Sequence, residues 1–303
     1  MTTQVTHPKE KARPARSRPR KLAGRALLYL VLLLTTLYTI YPIIATALDG
    51  MDLNIAALFA GNNIVLIDSI PFPQGIFRFN PTPYLDALSV GAFPARIVNS
   101  LLIGGISVGI ALLVGIPVSY MLARVDIKGK GAISFVLLAL RTVSPFAVVI
   151  PLYIFFTRVG LWDTFPGVAM AELLLILTVV VWMVKGFFAD IPRQIYDAAS
   201  LFGASEGQIF RRVALPIVIQ GIAITAIFGF ILVWNEYLIA VIMTGPMTKP
   251  VAVGVFSGLG AINKTPDFVD IEAGATLAFL PAAAVMLAIR KYLAKGFSLA
   301  TAS

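Results

Sequence analysis

Residues 185–216 read KGFFADIPRQIYDAASLFGASEGQIFRRVALP and form the most polar connection in a very apolar chain. They lie between two apolar runs, 165–184 and 216–243, in which the only charged residues are Glu172 and Glu236. Runs of about 20 apolar residues are long enough to cross the hydrocarbon core of a bilayer as helices. The polar stretch is therefore predicted to connect two membrane-spanning helices.

Six apolar segments in the chain meet or approach this length. Because lipid offers no hydrogen-bond partner to an open strand, each segment is predicted to be helical. The six segments are residues 26–48, 97–123, 132–157, 165–184, 216–243 and 269–289. The fold class expected from the sequence is therefore an all-α membrane protein with six transmembrane helices.

The distribution of basic residues predicts the orientation. Of the 24 Lys and Arg residues, 18 fall on one side of the predicted membrane and five on the other, while Arg141 lies within the third span. Cytoplasmic loops carry an excess of Lys and Arg, so both termini and the 185–216 loop are predicted to be cytoplasmic. The formal net charge of +9 then reflects topology rather than a nucleic-acid partner.

The expected organisation of the chain follows from these segments. It comprises a basic cytoplasmic tail, a first transmembrane helix, an external loop, a five-helix core and a C-terminal cytoplasmic tail, at residues 1–25, 26–48, 49–96, 97–290 and 291–303. The 185–216 loop lies inside the five-helix core, between the fourth and fifth spans.

The composition argues against several classes of enzyme. Of the 303 residues, 58% are hydrophobic and 13% charged, whereas soluble domains carry about a quarter charged residues. With no cysteine and one histidine, His7, the chain offers no disulfide, Cys/His zinc site, haem ligand pair or cysteine nucleophile. No phosphate-binding loop of the G-x4-G-K-[ST] type occurs, so we expect this chain to bind no ATP. We also expect no other cofactor, no metal and no enzyme activity.

Within the loop, the spacing predicts a short amphipathic helix. Pro192 suits its first turn. The apolar residues that follow at the i, i+3, i+4, i+7 spacing of one face are Ile195, Ala198, Ala199 and Phe202. Gly203 is predicted to end this helix, and Ser205 to cap a second short one. From the residues alone, the helix either docks on another protein or lies on the lipid surface.

The loop also matches a known sequence pattern. At fixed spacing it contains Asp197-Ala198-Ala199, Gly203, Val213, Leu215 and Pro216. This spacing resembles the EAA loop of permease subunits in binding-protein-dependent ABC importers, whose pattern is Glu-Ala-Ala-x3-Gly-x9-Ile-x-Leu-Pro. Asp197 in place of glutamate and Val213 in place of isoleucine are conservative departures from that pattern.

Further motifs resemble the carbohydrate-importer permeases, in particular the subunit type related to the smaller maltose-transporter permease. They are residues 151–153 (PLY), 160–164 (GLWDT), 186–192 (GFFADIP) and 234–237 (WNEY). The resemblance covers roughly residue 97 to the C-terminus. It implies that this chain is the transmembrane permease subunit of an ATP-driven sugar importer in the cell membrane of a bacterium or archaeon.

The resemblance also implies a set of partners and a role for the loop. The loop would form a coupling helix that docks on an ATP-binding subunit, and its implied coupling residues are Asp197, Ala198, Ala199, Phe202, Gly203, Ala204, Ser205, Leu215 and Pro216. The implied partners are a second homologous permease, two copies of an ATP-binding subunit that uses ATP and Mg²⁺, and an external solute-binding protein that delivers a sugar or oligosaccharide. The alternative is an ion-coupled secondary carrier for a small polar solute, which would need no coupling loop.

Polar residues inside the predicted spans are candidates for the transport pathway or a subunit interface, because a charge near the bilayer centre costs about 3 kcal/mol on insertion scales. The candidates are Arg141, Glu172, Trp234, Asn235, Glu236 and Tyr237. Aromatic faces beside amide and carboxylate groups suit a sugar. The other interpretation is an interfacial aromatic belt, with Glu236 reaching outward or pairing with the partner subunit.

The last external loop, residues 244–268, is rich in glycine and proline, a composition that suits a loop able to change shape on contact. The resemblance implies that this loop reaches the docked binding protein. The candidate contact residues are Gly254, Gly258 and Gly260.

Overall fold

The computed structural model of the protein describes residues 18–49, 51, 81–89, 93–125, 128–256, 271–285 and 287. Every regular element within these ranges is helical. The α-helices, in chain order, are α1 Arg18–Asp49, α2 Thr82–Ser89, α3 Phe93–Arg124, α4 Lys130–Thr142, α5 Pro145–Arg158, α6 Phe165–Ala189, α7 Arg193–Leu201, α8 Glu206–Gln208, α9 Leu215–Trp234, α10 Leu238–Met243, α11 Val251–Phe256 and α12 Ile271–Val285. A π-helical segment, Ile209–Ala214, joins α8 to α9.

Four helical stretches of the described chain are long and apolar enough to cross a membrane. They are Arg25–Asp49, Phe93–Arg124, Phe165–Ala189 and Glu206–Trp234. These stretches correspond to the first, second, fourth and fifth predicted spans. The apolar helices α5 and α12 are shorter, so the described residues confirm an all-helical membrane protein but not the full set of six spans.

The third predicted span, 132–157, is not one continuous helix. α4 ends at Thr142 and α5 begins at Pro145, with Val143 and Ser144 in extended conformation between them. Proline has no backbone N–H to continue the helix, and its ring disfavours the helical conformation in the residue before it. The prediction of an unbroken helix here was wrong, because hydropathy alone does not register this break.

The fifth predicted span, 216–243, is also interrupted. α9 ends at Trp234, and α10 starts again at Leu238. Oε1 of Glu236 accepts hydrogen bonds from the backbone N–H groups of Leu238 and Ile239, at 2.9 and 3.1 Å. The first N–H groups of a helix have no partner inside it, so this carboxylate marks the start of a new helix.

The core of the molecule is built by α3, α6 and α9. The apolar window of α6 is 61% buried, against 33% for α3 and 39% for the stretch that contains α9. α3 approaches α6 closely at Gly115, where an added Cβ would lie 2.7 Å from Cγ1 of Val180. One turn further on, Oγ of Ser119 donates to the carbonyl oxygen of Val181 at 3.0 Å. α6 is therefore the central helix, and both of its ends lie next to polar connections.

The helix α1 stands apart from this core. None of its apolar window is buried against the described part of the chain. Its far end lies near α2, where the hydroxyl of Tyr84 donates to the carbonyl oxygen of Ala47 at 2.8 Å.

Candidate coupling site

The short helix predicted in the loop is present as α7, and it ends as predicted at Gly203. This glycine has a φ of 80°, in the left-handed region that side chains disfavour. Its N–H donates to the carbonyl oxygen of Ser200 at 2.9 Å, and the N–H of Ala204 donates to that of Ala199 at 3.1 Å. These bonds satisfy carbonyl groups that the helix end would otherwise leave unpaired.

The second short helix is also present, and it begins after Ser205. The backbone N–H of Ser205 donates to Oε1 of Gln208 at 2.9 Å, the return bond of a capping box. This helix, α8, runs through the π-helical segment into α9, whose second residue is Pro216. Because proline has no N–H for the carbonyl of Arg212, the regular α-helical ladder is interrupted at this junction. We refer to residues 190–216 as the coupling segment.

The outward face of the coupling segment is apolar and exposed. Leu201 is 89% exposed and Phe202 is 92% exposed, and both lie at the end of α7. Ile195 and Ala198 are exposed on the same helix, whereas Ala199 is partly buried against the core. Exposed apolar clusters of this kind mark interaction sites, and three of the four residues of the predicted face, Ile195, Ala198 and Phe202, are exposed.

The inward face of α7 is held by one aromatic side chain, Tyr196, which is almost fully buried. Its hydroxyl donates to the carbonyl oxygen of Phe188 in α6 at 3.4 Å. The guanidinium carbon of Arg124 lies 4.3 Å from the centre of its ring. Burial raises the pKa of Tyr196, and the charge of Arg124 offsets part of that effect. Tyr196 lies outside the apolar face predicted from the sequence, which comprised only aliphatic residues and Phe202.

Two polar contacts tie the coupling segment to the end of α3. Nη2 of Arg124 lies 3.4 Å from Oδ1 of Asp197, the residue that takes the place of the EAA glutamate. The hydroxyl of Tyr120 donates to Oε2 of Glu206 at 3.1 Å. Ion pairs as exposed as the first contribute up to about 1 kcal/mol, so these contacts orient the segment more than they stabilise it.

An aromatic cluster lies beneath these contacts. The ring of Tyr120 is 5.4 Å from that of Phe188, 6.5 Å from that of Tyr196 and 4.9 Å from that of Phe210. These rings come from α3, α6, α7 and the π-helical segment, so four elements meet at one point. Beside the cluster lies an open cavity of about 270 Å³ between α3 and the residues Glu206–Phe210. The coupling segment is thus anchored at the rings but is not packed tightly along its whole length.

Two of the candidate pathway residues, Glu172 and Glu236, have carboxylates within electrostatic range of each other. Glu172 lies in α6 and is 1% exposed, and its Oε2 atom receives no hydrogen bond from the residues that the structure describes. Glu236 is close enough for the two carboxylates to interact electrostatically. Asn235 and Tyr237 flank Glu236 and are exposed.

The other candidates lie elsewhere. Trp234 is buried, and its Nε1 donates to the carbonyl oxygen of Ala278 in α12 at 3.3 Å. Its ring lies 5.7 Å from that of Phe230, so it packs inside the bundle rather than in an exposed aromatic belt. Arg141 belongs to α4, but its side chain lies outside the described part of the structure.

Of the candidate contact residues in the last external loop, only Gly254 falls within the described residues; Gly258 and Gly260 lie outside them. Gly254 is part of α11. Its carbonyl oxygen accepts a hydrogen bond from Nη1 of Arg96 at 3.0 Å. An added Cβ would meet the same arginine side chain, so this glycine lets α11 approach α3 closely.

The long apolar helices are those of a membrane protein. Residues 115–298 match the family described as the binding-protein-dependent transport system inner membrane component, and the chain belongs to that family. The resemblance inferred from the coupling segment is thereby confirmed. The family is one of transport permeases, which favours the importer subunit over a secondary carrier.

Two named relatives share most of their length with this chain. It is 30% identical over 209 residues to the trehalose transport system permease protein of Mycobacterium tuberculosis. That alignment covers 68% of this chain and 76% of the relative. It is 27% identical over 267 residues to the diacetylchitobiose uptake system permease protein of Streptomyces coelicolor, which covers 88% of this chain and 83% of the relative.

A solved structure shares the fold. A chain of a bacterial ABC transporter involved in the import of the acidic polysaccharide alginate superposes with a TM-score of 0.65 at 20% sequence identity. The alignment covers 93% of this chain and 99% of the other. The helical arrangement described above is therefore shared with a chain of that ABC transporter.

Proposed function

We propose that this protein is the permease subunit of an ATP-driven importer of small oligosaccharides. The observation that carries the proposal is α7, a short helix with an exposed apolar face that lies within the EAA-like motif of a chain belonging to the importer family. The two relatives above are named for the disaccharides trehalose and diacetylchitobiose, which supports a substrate of that class.

The proposal includes six transmembrane spans with both termini in the cytoplasm of a bacterial or archaeal cell. Four long helices and the two shorter apolar helices α5 and α12 supply the spans. The excess of Lys and Arg on the side of the coupling segment supports the orientation. The coupling segment then faces the cytoplasm, and the turn between α5 and α6 faces outward.

The proposed complex contains a second homologous permease, two copies of an ATP-binding subunit and an external solute-binding protein. ATP and Mg²⁺ belong to the ATP-binding subunits, and no cofactor or metal is assigned to this chain. Docking on the face that includes Leu201 and Phe202 would transmit movement through Tyr196 to α6 and through Arg124 to α3. Closure of the ATP-binding subunits would rock the helices between inward-open and outward-open states.

Within this proposal, Glu172 and Glu236 are assigned to the pathway or to the interface with the second permease. Their support is that Glu172 is buried in an apolar bundle, where uncompensated charge is costly, and that Glu236 lies within electrostatic range of it. Arg141, Asn235 and Tyr237 are assigned to the same region, and Trp234 to its supporting core. Replacing Glu172 by Gln is expected to lower uptake while the complex still assembles.

The experiment is reconstitution of the complex in proteoliposomes with its copurifying binding protein. Uptake of radiolabelled trehalose and diacetylchitobiose is measured with ATP inside the vesicles, and separately with an imposed proton or sodium gradient. Uptake that requires ATP and the binding protein supports the proposal. Uptake driven by the ion gradient alone would contradict the proposal and favour the alternative function of an ion-coupled secondary carrier.

A further inference from the structure

A buried aspartate lies at the end of α6 opposite the coupling segment. Asp163 lies in the turn between α5 and α6, with a φ of 54°, in the left-handed region. Its backbone N–H donates to the carbonyl oxygen of Met243 at 3.2 Å. The neighbouring Trp162 donates from Nε1 to the carbonyl oxygen of Ile242 at 3.1 Å. Two hydrogen bonds therefore attach this turn to the end of α10.

The carboxylate of Asp163 gathers four donors from the segment that follows α10. Oδ1 accepts from the N–H of Gly245 at 2.7 Å, from the N–H of Thr248 at 3.0 Å and from its hydroxyl at 2.6 Å. Oδ2 accepts from the N–H of Met247 at 3.1 Å. A Cβ at position 245 would lie 2.5 Å from Oδ2, so glycine is needed there. We call these residues the Asp163 cluster.

The same segment is also fixed to α3. Nδ2 of Asn99 donates to the carbonyl oxygens of Met247 and Lys249, each at 3.1 Å. The N–H of Val251 donates to Oγ of Ser100 at 2.8 Å. Thr248 is buried by these contacts, whereas Met247 is 78% exposed. Residues 244–250 thus form a turn with an ordered backbone and an outward-facing methionine.

One unbroken helix connects this turn to the coupling segment. α6 begins after Thr164, whose hydroxyl caps it by accepting from the N–H of Gly167 at 3.2 Å, and it continues to Ala189. At its far end Phe188 contacts Tyr196 of α7. Helices and close-packed cores transmit displacements with little compression, so movement of either end of α6 is delivered to the other.

We propose that Asp163 is a positioning residue that makes the 244–250 turn move with α6, so that events at the coupling segment change the surface offered to the external binding protein. The inference rests on the proposed function, because it requires an ATP-binding subunit at one end and a binding protein at the other. It adds a specific connection between them: one carboxylate that links the end of α6 to four donors of the turn.

The test replaces Asp163 by Asn in the full complex. The amide NH₂ would face backbone N–H donors that now contact a carboxylate oxygen, so at least one buried donor loses its acceptor. We expect basal ATP hydrolysis, measured as released inorganic phosphate, to stay within about twofold of wild type because the cytoplasmic contacts are intact. We expect stimulation of hydrolysis by the binding protein loaded with trehalose or diacetylchitobiose to fall about tenfold or more.

Two further variants separate positioning from simple instability. Thr248→Val removes one donor hydroxyl with little change in shape and is expected to reduce the stimulation by about threefold to tenfold. Asp86→Asn is the matched control, because Asp86 is an exposed aspartate on α2, on the same proposed outer side. It is expected to leave both rates unchanged. If Asp163→Asn does not assemble, Thr248→Val provides the measurement.

The outcomes are distinguishable. Loss of stimulation with basal hydrolysis retained supports the inference. Stimulation within twofold of wild type in the variants overturns it, as does a fall in basal and stimulated rates by the same factor, which is what a purely structural role produces. A wild-type complex that is not stimulated by its binding protein and takes up no sugar with ATP overturns the proposed function, and the inference with it.

Discussion

Gly203 ends α7 in a left-handed backbone conformation that glycine adopts more readily than other residues. An alanine there meets no atom within 4 Å, but its φ of 80° costs a non-glycine residue about 1–2 kcal/mol. We expect Gly203→Ala to shift the turn after α7 and to weaken binding of the ATP-binding subunit by about tenfold. The measurement is titration of the purified permease complex with that subunit.

Gly207 provides the matched control for this variant. It also has open space around an added Cβ, but it lies in helix α8, where alanine is preferred to glycine. Gly207→Ala is therefore expected to leave the affinity unchanged. Equal effects of the two alanines would show that the conformation at position 203 is not what matters.

Asp163 makes the stability of the protein depend on pH in a defined direction. Burial of Asp163 favours its neutral form, but the hydrogen bonds from Thr248, Gly245 and Met247 together outweigh burial and hold its pKa below the ordinary value. A lowered pKa stabilises the fold above the unfolded-state pKa of about 4, and this contribution is lost as the pH falls through the folded-state value.

The prediction is made on a difference between two proteins, because other carboxylates titrate in the same range. The melting temperature of wild type should exceed that of Asp163→Asn by a constant amount near neutral pH. The gap should narrow as the pH falls below about 4. A gap that widened on acidification would contradict the assignment of the hydrogen bonds to the ionised carboxylate.

α7 is held to the bundle by the ring of Tyr196 more than by its hydroxyl. The hydroxyl bond to Phe188 is long, at 3.4 Å, whereas the ring is buried and contacts Arg124. We expect Tyr196→Phe to lower the free energy of unfolding by less than about 1 kcal/mol, and Tyr196→Ala by about 3–5 kcal/mol. Thermal unfolding in detergent measures both, and a costly Tyr196→Phe would reverse the interpretation.

The opposite face of α7 should respond in the other way. Phe202 packs against little in this chain, so Phe202→Glu is expected to leave the melting temperature within about 1 °C of wild type. The same change puts a charge on the proposed docking face and should abolish copurification of the ATP-binding subunit. A variant that kept the subunit would favour the lipid-surface role for α7.

Helix boundaries were the part of the fold that the sequence predicted least well. Hydropathy averages over many residues, so it joined α4 to α5 and α9 to α10. Pro145 was a local signal of the first break and could have been used. At the second break, the Glu236 carboxylate accepts hydrogen bonds from the first N–H groups of α10. The periodicity of apolar residues does not predict such a bond. In contrast, α7 and Gly203 were predicted well because spacing and glycine chemistry act locally.

The topology of the chain can be tested with single introduced cysteines, because the chain itself contains none. Met247→Cys and Phe202→Cys place single thiols at highly exposed positions at the two ends of the bundle. An impermeant maleimide added to intact cells or spheroplasts should label position 247 and not position 202. Inside-out vesicles from cells that lack the proposed ATP-binding subunit, which would otherwise cover position 202, should give the reverse. The opposite result would invert the proposed orientation.

Charge counts and motif spacing predicted the family and the position of the coupling segment, since both are properties of the linear chain. They did not predict which side chains meet across it. Three such contacts join distant parts of the chain. They are Arg124 with Asp197, Tyr120 with Glu206 and Trp234 with Ala278, which are 73, 86 and 44 positions apart. Such contacts depend on how α3, α6, α9 and α12 pack, which single-segment patterns do not describe.

The isolation of α1 has a consequence for biosynthesis. This helix precedes the other described helices in the chain, and none of the residues in its apolar window is buried against them. Its partition into the bilayer therefore does not wait for a later helix to be made. Among the described helices, α1 can therefore enter the bilayer on its own, while the helices from α3 onward assemble as a separate packing event.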